Sequence, residues 1–315
     1  MLLPSHIWHL SDQTKAGPTT VILAGTHGDE LGGIDTVRQL LKRLGLLNKP
    51  SGTFHVKGVN GNLYLGFGNP EAILRNTRSA SDGLNLNRSF SISELDKAPS
   101  VHDREDLKRA RELAPLLQQT DFLFDLHCTS TPSEPFVCFG DETPKRQELC
   151  DLIPVKYVIT DPDRKYTRLE GLSELATTDE YVHINGGVGL CYETGWSKDI
   201  SHTDHVMAIV LKLLNHVGAI DDTFSKQFGS LPIIDHYDEQ HVYAIEEVIE
   251  AKHDGFEYAP RIGYGWTNLS KGQLIGHYPN QEPEFSPSTA IGVFPSASER
   301  VIKGKKLIVL AKLIN

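Results

Sequence analysis

The stretch TTVILAGTHGDELGGIDTVRQLLKRLG, Thr19 to Gly45, decides how the rest of the chain is read. Thr19 to Ala24 form a short apolar, β-branched run, the pattern of a central strand. A glycine turn follows, and Ile34, Val37, Leu40, Leu41 and Leu44 then recur at helical spacing. Lys42 and Arg43 complement the negative end of that helix, and Gly45 stands where a helix stops. Strand, turn and helix in this order are the unit from which α/β sheets are built.

The alternation continues to about residue 215. GTFHVKGVNG (52–61) reads as a second strand, and NPEAILRNTRSASDGLNLNRSF (69–90) as a polar loop. REDLKRARELAPLLQQT (104–120) reads as a helix in which Pro115 marks a kink or boundary. DFLFDLHCTS (121–130) is another buried strand, running straight into a polar tip. After about residue 225, HVYAIEEVIEAK (241–252) fits strand or helix, and the remaining runs are short and separated by Gly turns. The expected fold is therefore α/β, a mixed sheet flanked by helices over residues 1–226, with a smaller C-terminal β domain over 227–315. The boundary is expected near QFGSLP, 227–232.

At 315 residues the chain can bury a sizeable core. A net charge of −10 argues against nucleic-acid binding, which needs a basic surface, but leaves room for a local basic pocket. The four cysteines show no CxxC spacing and read as reduced thiols of a cytosolic protein. MLLPSHIWHL at the amino terminus lacks the features of a signal peptide, and no apolar run is long enough to span a membrane. A soluble, cytoplasmic protein without membrane or nucleic-acid partners is expected.

Four segments carry chemistry. His27 and Glu30, three apart at a helix start, can converge on one point, and both are ordinary zinc ligands. His127 leaves the strand Phe122–Phe124 where open α/β sheets bind ligands, and offers a third ligand. Asp125 is expected to face away from His127 and to orient another group or cap a turn. Glu193, in GVGLCYETGW, can take a proton from a water activated by a metal. The loop residues Arg75, Arg78, Asn85, Asn87 and Arg88 offer guanidinium and amide groups suited to gripping a carboxylate or an oxyanion.

GTHGDE, then NP…TR…LNLNRSF, then DLHCTS, then YETG, in this order, resemble the aspartoacylase and succinylglutamate desuccinylase family of the zinc carboxypeptidase-like fold. The resemblance covers about residues 19–200. It implies a zinc hydrolase that cleaves the amide of a small N-acyl amino acid, with one Zn2+ held by His27, Glu30 and His127. By matched position it makes Glu193 the general base and later acid, Arg78 the group that polarises the scissile carbonyl, and Asn87 with Arg88 the clamp on the substrate α-carboxylate. The chain departs from the family in having Asp29 where asparagine is frequent and Asn85 where aspartate is usual, and in a slightly longer spacing from Arg78 to Asn87. A metallocarboxypeptidase acting on short peptides and an inactive metal-binding homologue are the alternatives. A homo-oligomer is compatible with the sequence, which encodes no oligomeric state and does not identify the acyl group.

Overall fold

Apolar runs become strands along the whole chain, in a computed structural model that describes residues 2–80, 85–169, 171–172, 174–234 and 239–314. The first part supplies β1 (Ile7–Ser11), β2 (Thr19–Ala24), β3 (Thr53–His55), β4 (Asn62–Phe67) and β5 (Phe122–Thr129). Then come β6 (Phe136–Phe139), β7 (Tyr157–Thr160), β8 (Val188–Trp196) and β9 (His241–Glu250). The C-terminal stretch adds β10 (Glu257–Tyr258), β11 (Thr267–Leu269), β12 (Leu274–His277), β13 (Pro283–Phe285), β14 (Ala290–Val293) and β15 (Lys306–Leu313). Among the described residues, twelve strands form one mixed sheet in the order β11-β14-β15-β9-β7-β6-β8-β5-β2-β4-β1-β3, while β10, β12 and β13 form a small second sheet.

The centre of the large sheet, β4-β2-β5-β8, is parallel throughout. Its strands are buried on both faces, which is why they read as continuous apolar runs. Ile22, Ala24, Phe124 and Leu126 face a core shared with the helices Leu31–Arg43 and Thr203–His216. Val21, Leu23 and Leu123 face the opposite core, against the helices Glu105–Leu117 and Thr178–Ile184. The helix Leu31–Arg43 buries the expected Ile34, Val37, Leu40 and Leu41. It closes as expected too: Gly45 takes φ +67°, and Leu46 N donates to Leu41 O at 2.8 Å.

Several details differ from the sequence reading. Within 52–61 only Thr53–His55 is a strand, because Gly58 and Gly61 adopt positive φ and turn the chain. The longer strand, β4, follows that turn. The polar loop contains a helix, Pro70–Arg75, started by the Asn69 side chain accepting from Ala72 N and by Pro70 in its first turn. Residues 81–84 of the same loop lie outside the described residues. Pro115 occupies the last turn of its helix, which ends at Leu117. HVYAIEEVIE is a strand, β9, whose parallel pairing with β7 and antiparallel pairing with β15 carry the large sheet into the C-terminal part of the chain. Among the described residues no helix is long and apolar enough to cross a membrane, and the four cysteines are free thiols.

Candidate functional site

The carboxyl ends of β2, β5 and β8 deliver the candidate side chains to one place. The chain leaves β2 towards β4 on one side, while β5 lies on the other, so a crevice opens where ligands of α/β sheets bind. Gly28 lets the turn after β2 lie against the helix Pro70–Arg75. A Cβ there would stand 2.0 Å from the Ala72 carbonyl carbon. The register of β5 and β8 sets His127 directly beside Glu193.

His27, Glu30 and His127 are buried and meet at one carboxylate. Glu30 Oε1 lies 2.7 Å from His27 Nδ1, and Glu30 Oε2 lies 2.8 Å from His127 Nδ1. Cys128 N donates to Glu30 Oε2 at 3.0 Å, and an Arg78 guanidinium nitrogen donates to Glu30 Oε1 at 3.2 Å. Each imidazole has an acceptor behind it. Asn85 Oδ1 lies 3.3 Å from His27 Nε2, and Asp125 Oδ2 lies 3.1 Å from His127 Nε2. The latter is an ion-pair contact rather than an aligned hydrogen bond. Without a metal each Nδ1 donates to the ionised Glu30 carboxylate. A cation taking the place of those protons would draw on the same two δ nitrogens, while the acceptors behind the ε nitrogens hold the remaining ring protons.

Asp125 therefore does not face away from His127. Residues two apart in a strand share a face, and the expectation of opposite faces fails for that reason. Its carboxylate is fully buried and accepts from Thr26 Oγ1 at 3.1 and 3.0 Å and from Thr178 Oγ1 at 2.5 Å.

The electrostatics ask for positive charge at this point. Burial, with Arg78 adding to it, lowers His27 to about 4, so its imidazole is neutral. Burial also opposes a charged His127, but the carboxylates of Asp125 and Glu30 outweigh it and raise that ring well above its ordinary value. Glu30 is held well below the usual carboxylate range, because the two imidazoles outweigh its burial. Two neutral-capable imidazole nitrogens and one ionised carboxylate, each with its orienting partner, form a donor set that fits a zinc ion with an open position.

Glu193 lines the same cavity, and its Oε2 is buried with no hydrogen-bond partner among the described residues. Burial, joined by the negative charge of Glu30, raises its carboxyl to about 8. Asn87 Oδ1 accepts from Thr178 N at 3.0 Å, which turns the Asn87 amide nitrogen away to donate elsewhere. Arg88 is buried and stacks over Tyr166 at 5.1 Å, and its Nε has no partner among the described residues. Arg75 is the loop cation not brought in: it pairs with Glu71 and donates to Ala80 O. The cavity, about 410 Å³, has the size of a small-molecule cleft.

Sequence reasoning missed part of this cavity. Tyr166 and Arg300 line it, as do Cys138 and Cys191, which are cross-strand neighbours on β6 and β8. Tyr166 and Arg300 come from segments with no local sign of chemistry. The cysteine pair is created by strand register alone.

An α/β sheet with buried His, Glu and His donors at its strand ends is the frame of a candidate metal site. Residues 16–159, a little under half of the chain, match the model of the succinylglutamate desuccinylase/aspartoacylase catalytic domain. An N-acyl-aromatic-L-amino acid amidohydrolase (carboxylate-forming) of Xenopus tropicalis is 33% identical over 135 residues, 41% of this chain and 40% of that protein. The match thus spans about two fifths of that relative's length. Crystal structures share the fold at low identity. Murine aminoacylase 3 aligns with TM-score 0.67 and 19% identity, over 95% of this chain and 96% of its own. A succinylglutamate desuccinylase/aspartoacylase from Rhodobacter sphaeroides aligns with TM-score 0.67 and 19% identity, over 95% of this chain and 87% of its own.

Proposed function

We propose that the protein is a zinc-dependent amidohydrolase that cleaves the amide bond of a small N-acyl amino acid. The observation that carries this reading is Glu193: a buried carboxylate with an unpartnered oxygen, set beside the three converging donors of His27, Glu30 and His127. One zinc ion per chain, held by those three residues, would supply Lewis acidity to the scissile carbonyl and acidity to a water. Glu193 accepts the proton of the attacking water and returns it to the leaving amine nitrogen. A carboxyl raised by burial suits both halves of that task. Arg78, at the open side of the site, stabilises the oxyanion of the tetrahedral intermediate. Arg88 and the amide nitrogen of Asn87 hold the substrate α-carboxylate and fix its distance from the reacting carbon.

The relatives' named activities and the cavity's size both support a small acyl amino acid. Residues 1–226 carry the donors. Residues 227–315, the proposed second unit, lend the cavity residues such as Phe294 and Arg300. Four free thiols suit a reducing compartment such as the cytoplasm.

The test is amine release from a panel of N-acyl amino acids, their α-carboxamides and short peptides, with and without a chelator. Chelator-sensitive release from the free acids, lost in Glu193→Gln and weak for the carboxamides, is the expected result. Release from peptides alone would favour the carboxypeptidase alternative. Release insensitive to the chelator would overturn the metal reading.

A further inference from the structure

Two consecutive carboxylates, Asp29 and Glu30, stand on the turn that offers candidate metal ligands. The Asp29 side chain is only 9% exposed. Its Oδ1 has no hydrogen-bond partner among the described residues, and its Oδ2 receives an Arg300 guanidinium nitrogen at 2.6 Å. Arg300 comes from the far end of the chain, on the 3-10 turn Ser298–Arg300. That turn is fixed without Asp29. Ser296 N donates to Leu307 O, Gly255 N donates to Val301 O, and Lys303 N donates to Asp254 Oδ1, each at 2.8 Å. Arg300 also lines the cavity. Arg78 meets the neighbouring Glu30 from the loop on another side. Two adjacent negative charges are thus matched by two cations from unrelated parts of the chain.

We infer that Arg300 is a positioning residue that sets the charge of the metal site, by neutralising Asp29 so that a cation there meets Glu30 without a second free carboxylate on the same turn. The inference rests on the metal centre proposed above, not on the identity of the substrate. A largely buried charge on the residue next to a ligand acts through an effective dielectric well below that of water. Its loss should therefore change zinc affinity by at least about threefold. The sign depends on which partner is removed. Arg300→Met leaves Asp29 uncompensated and tightens zinc binding. Asp29→Asn leaves Arg300 uncompensated and weakens it. The double variant removes both charges and cancels the change.

The experiment measures the zinc dissociation constant of the wild type, both single variants and the double variant, by competition with a chromogenic chelator. Arg300→Gln stands in should Arg300→Met fail to fold. Opposite shifts in the single variants, with the double variant within about twofold of wild type, are expected. Shifts in the same direction would mean that Arg300 acts only through packing, and unchanged affinities would mean that it does not act on the site. Either result overturns the inference. No turnover is needed, so failure to find a substrate leaves this test intact. Absence of zinc binding by the wild type would instead overturn the metal centre itself.

Discussion

Asp125→Ala removes the carboxylate behind His127 while leaving every candidate ligand in place. Asp125 is fully buried, lies 3.1 Å from His127 Nε2, and accepts from Thr26 and Thr178. Two costs follow, and they are separable. For the metal, losing the acceptor that orients a ligating imidazole weakens affinity by about 10- to 100-fold, or roughly 1.4–2.7 kcal/mol. For the fold, two buried hydroxyls lose their acceptor, and each orphaned group costs about 1–3 kcal/mol. Hydroxyl rotors can turn to other partners, so the lower half of the resulting range of about 2–6 kcal/mol is expected. Urea denaturation in excess chelator reads the second cost alone, and a competition titration of the folded variant with zinc reads the first. A folded Asp125→Ala protein that binds zinc within twofold of wild type would refute the assignment of Asp125 as the partner that orients His127.

Two further changes test the supports of the site. Gly28→Ala would set a methyl group 2.0 Å from the Ala72 carbonyl carbon and 2.3 Å from Ile73 N, where ordinary contact begins at 3.4 Å. Backbone on both sides must part by up to about 1.4 Å, while metal–ligand distances tolerate about 0.2 Å. Zinc content after dialysis should fall sharply, and stability should drop by about 1–3 kcal/mol. Full zinc content would show that the close approach does not position His27 and Glu30. Glu180→Ala removes the nearer of two carboxylates from the fully buried Arg146, whose guanidinium lies 2.8 Å from Glu180 and reaches Gly189 O and Asp141 O as well. With Asp179 Oδ2 still 4.0 Å from the guanidinium, losing the nearer carboxylate should cost about 1–3 kcal/mol in chemical denaturation. A loss below about 1 kcal/mol would mean that the remaining carbonyls suffice.

How far the site could be read from sequence follows from where its residues sit. His27, Glu30, His127 and Glu193 each follow an apolar run at the exit of a buried strand, so order and spacing alone brought them together. Asp125 was misjudged by applying the strand period to the wrong parity, an error of reading rather than a missing signal. The helix Pro70–Arg75 was announced by Asn69 and Pro70, a cap and a first-turn proline that a polar composition obscured. β4 hid behind the glycines at 58 and 61, which cut the apolar segment in two. Arg300 had no local sign at all. The one hint was Asp29, a carboxylate where the family frequently has a neutral residue, since such a charge beside a ligand requires a cation that only the tertiary fold supplies. Asn85, a second departure, lies behind His27 as an uncharged acceptor.

The measurement that bears most directly on the central claim is zinc stoichiometry with hydrolysis in the same samples, for wild type and Glu30→Gln. The wild type should bind one zinc ion per chain, with amine release rising in proportion to occupancy, and folded Glu30→Gln should lose both. Full hydrolysis by wild-type protein stripped of metal, or one zinc ion retained by Glu30→Gln, would contradict it.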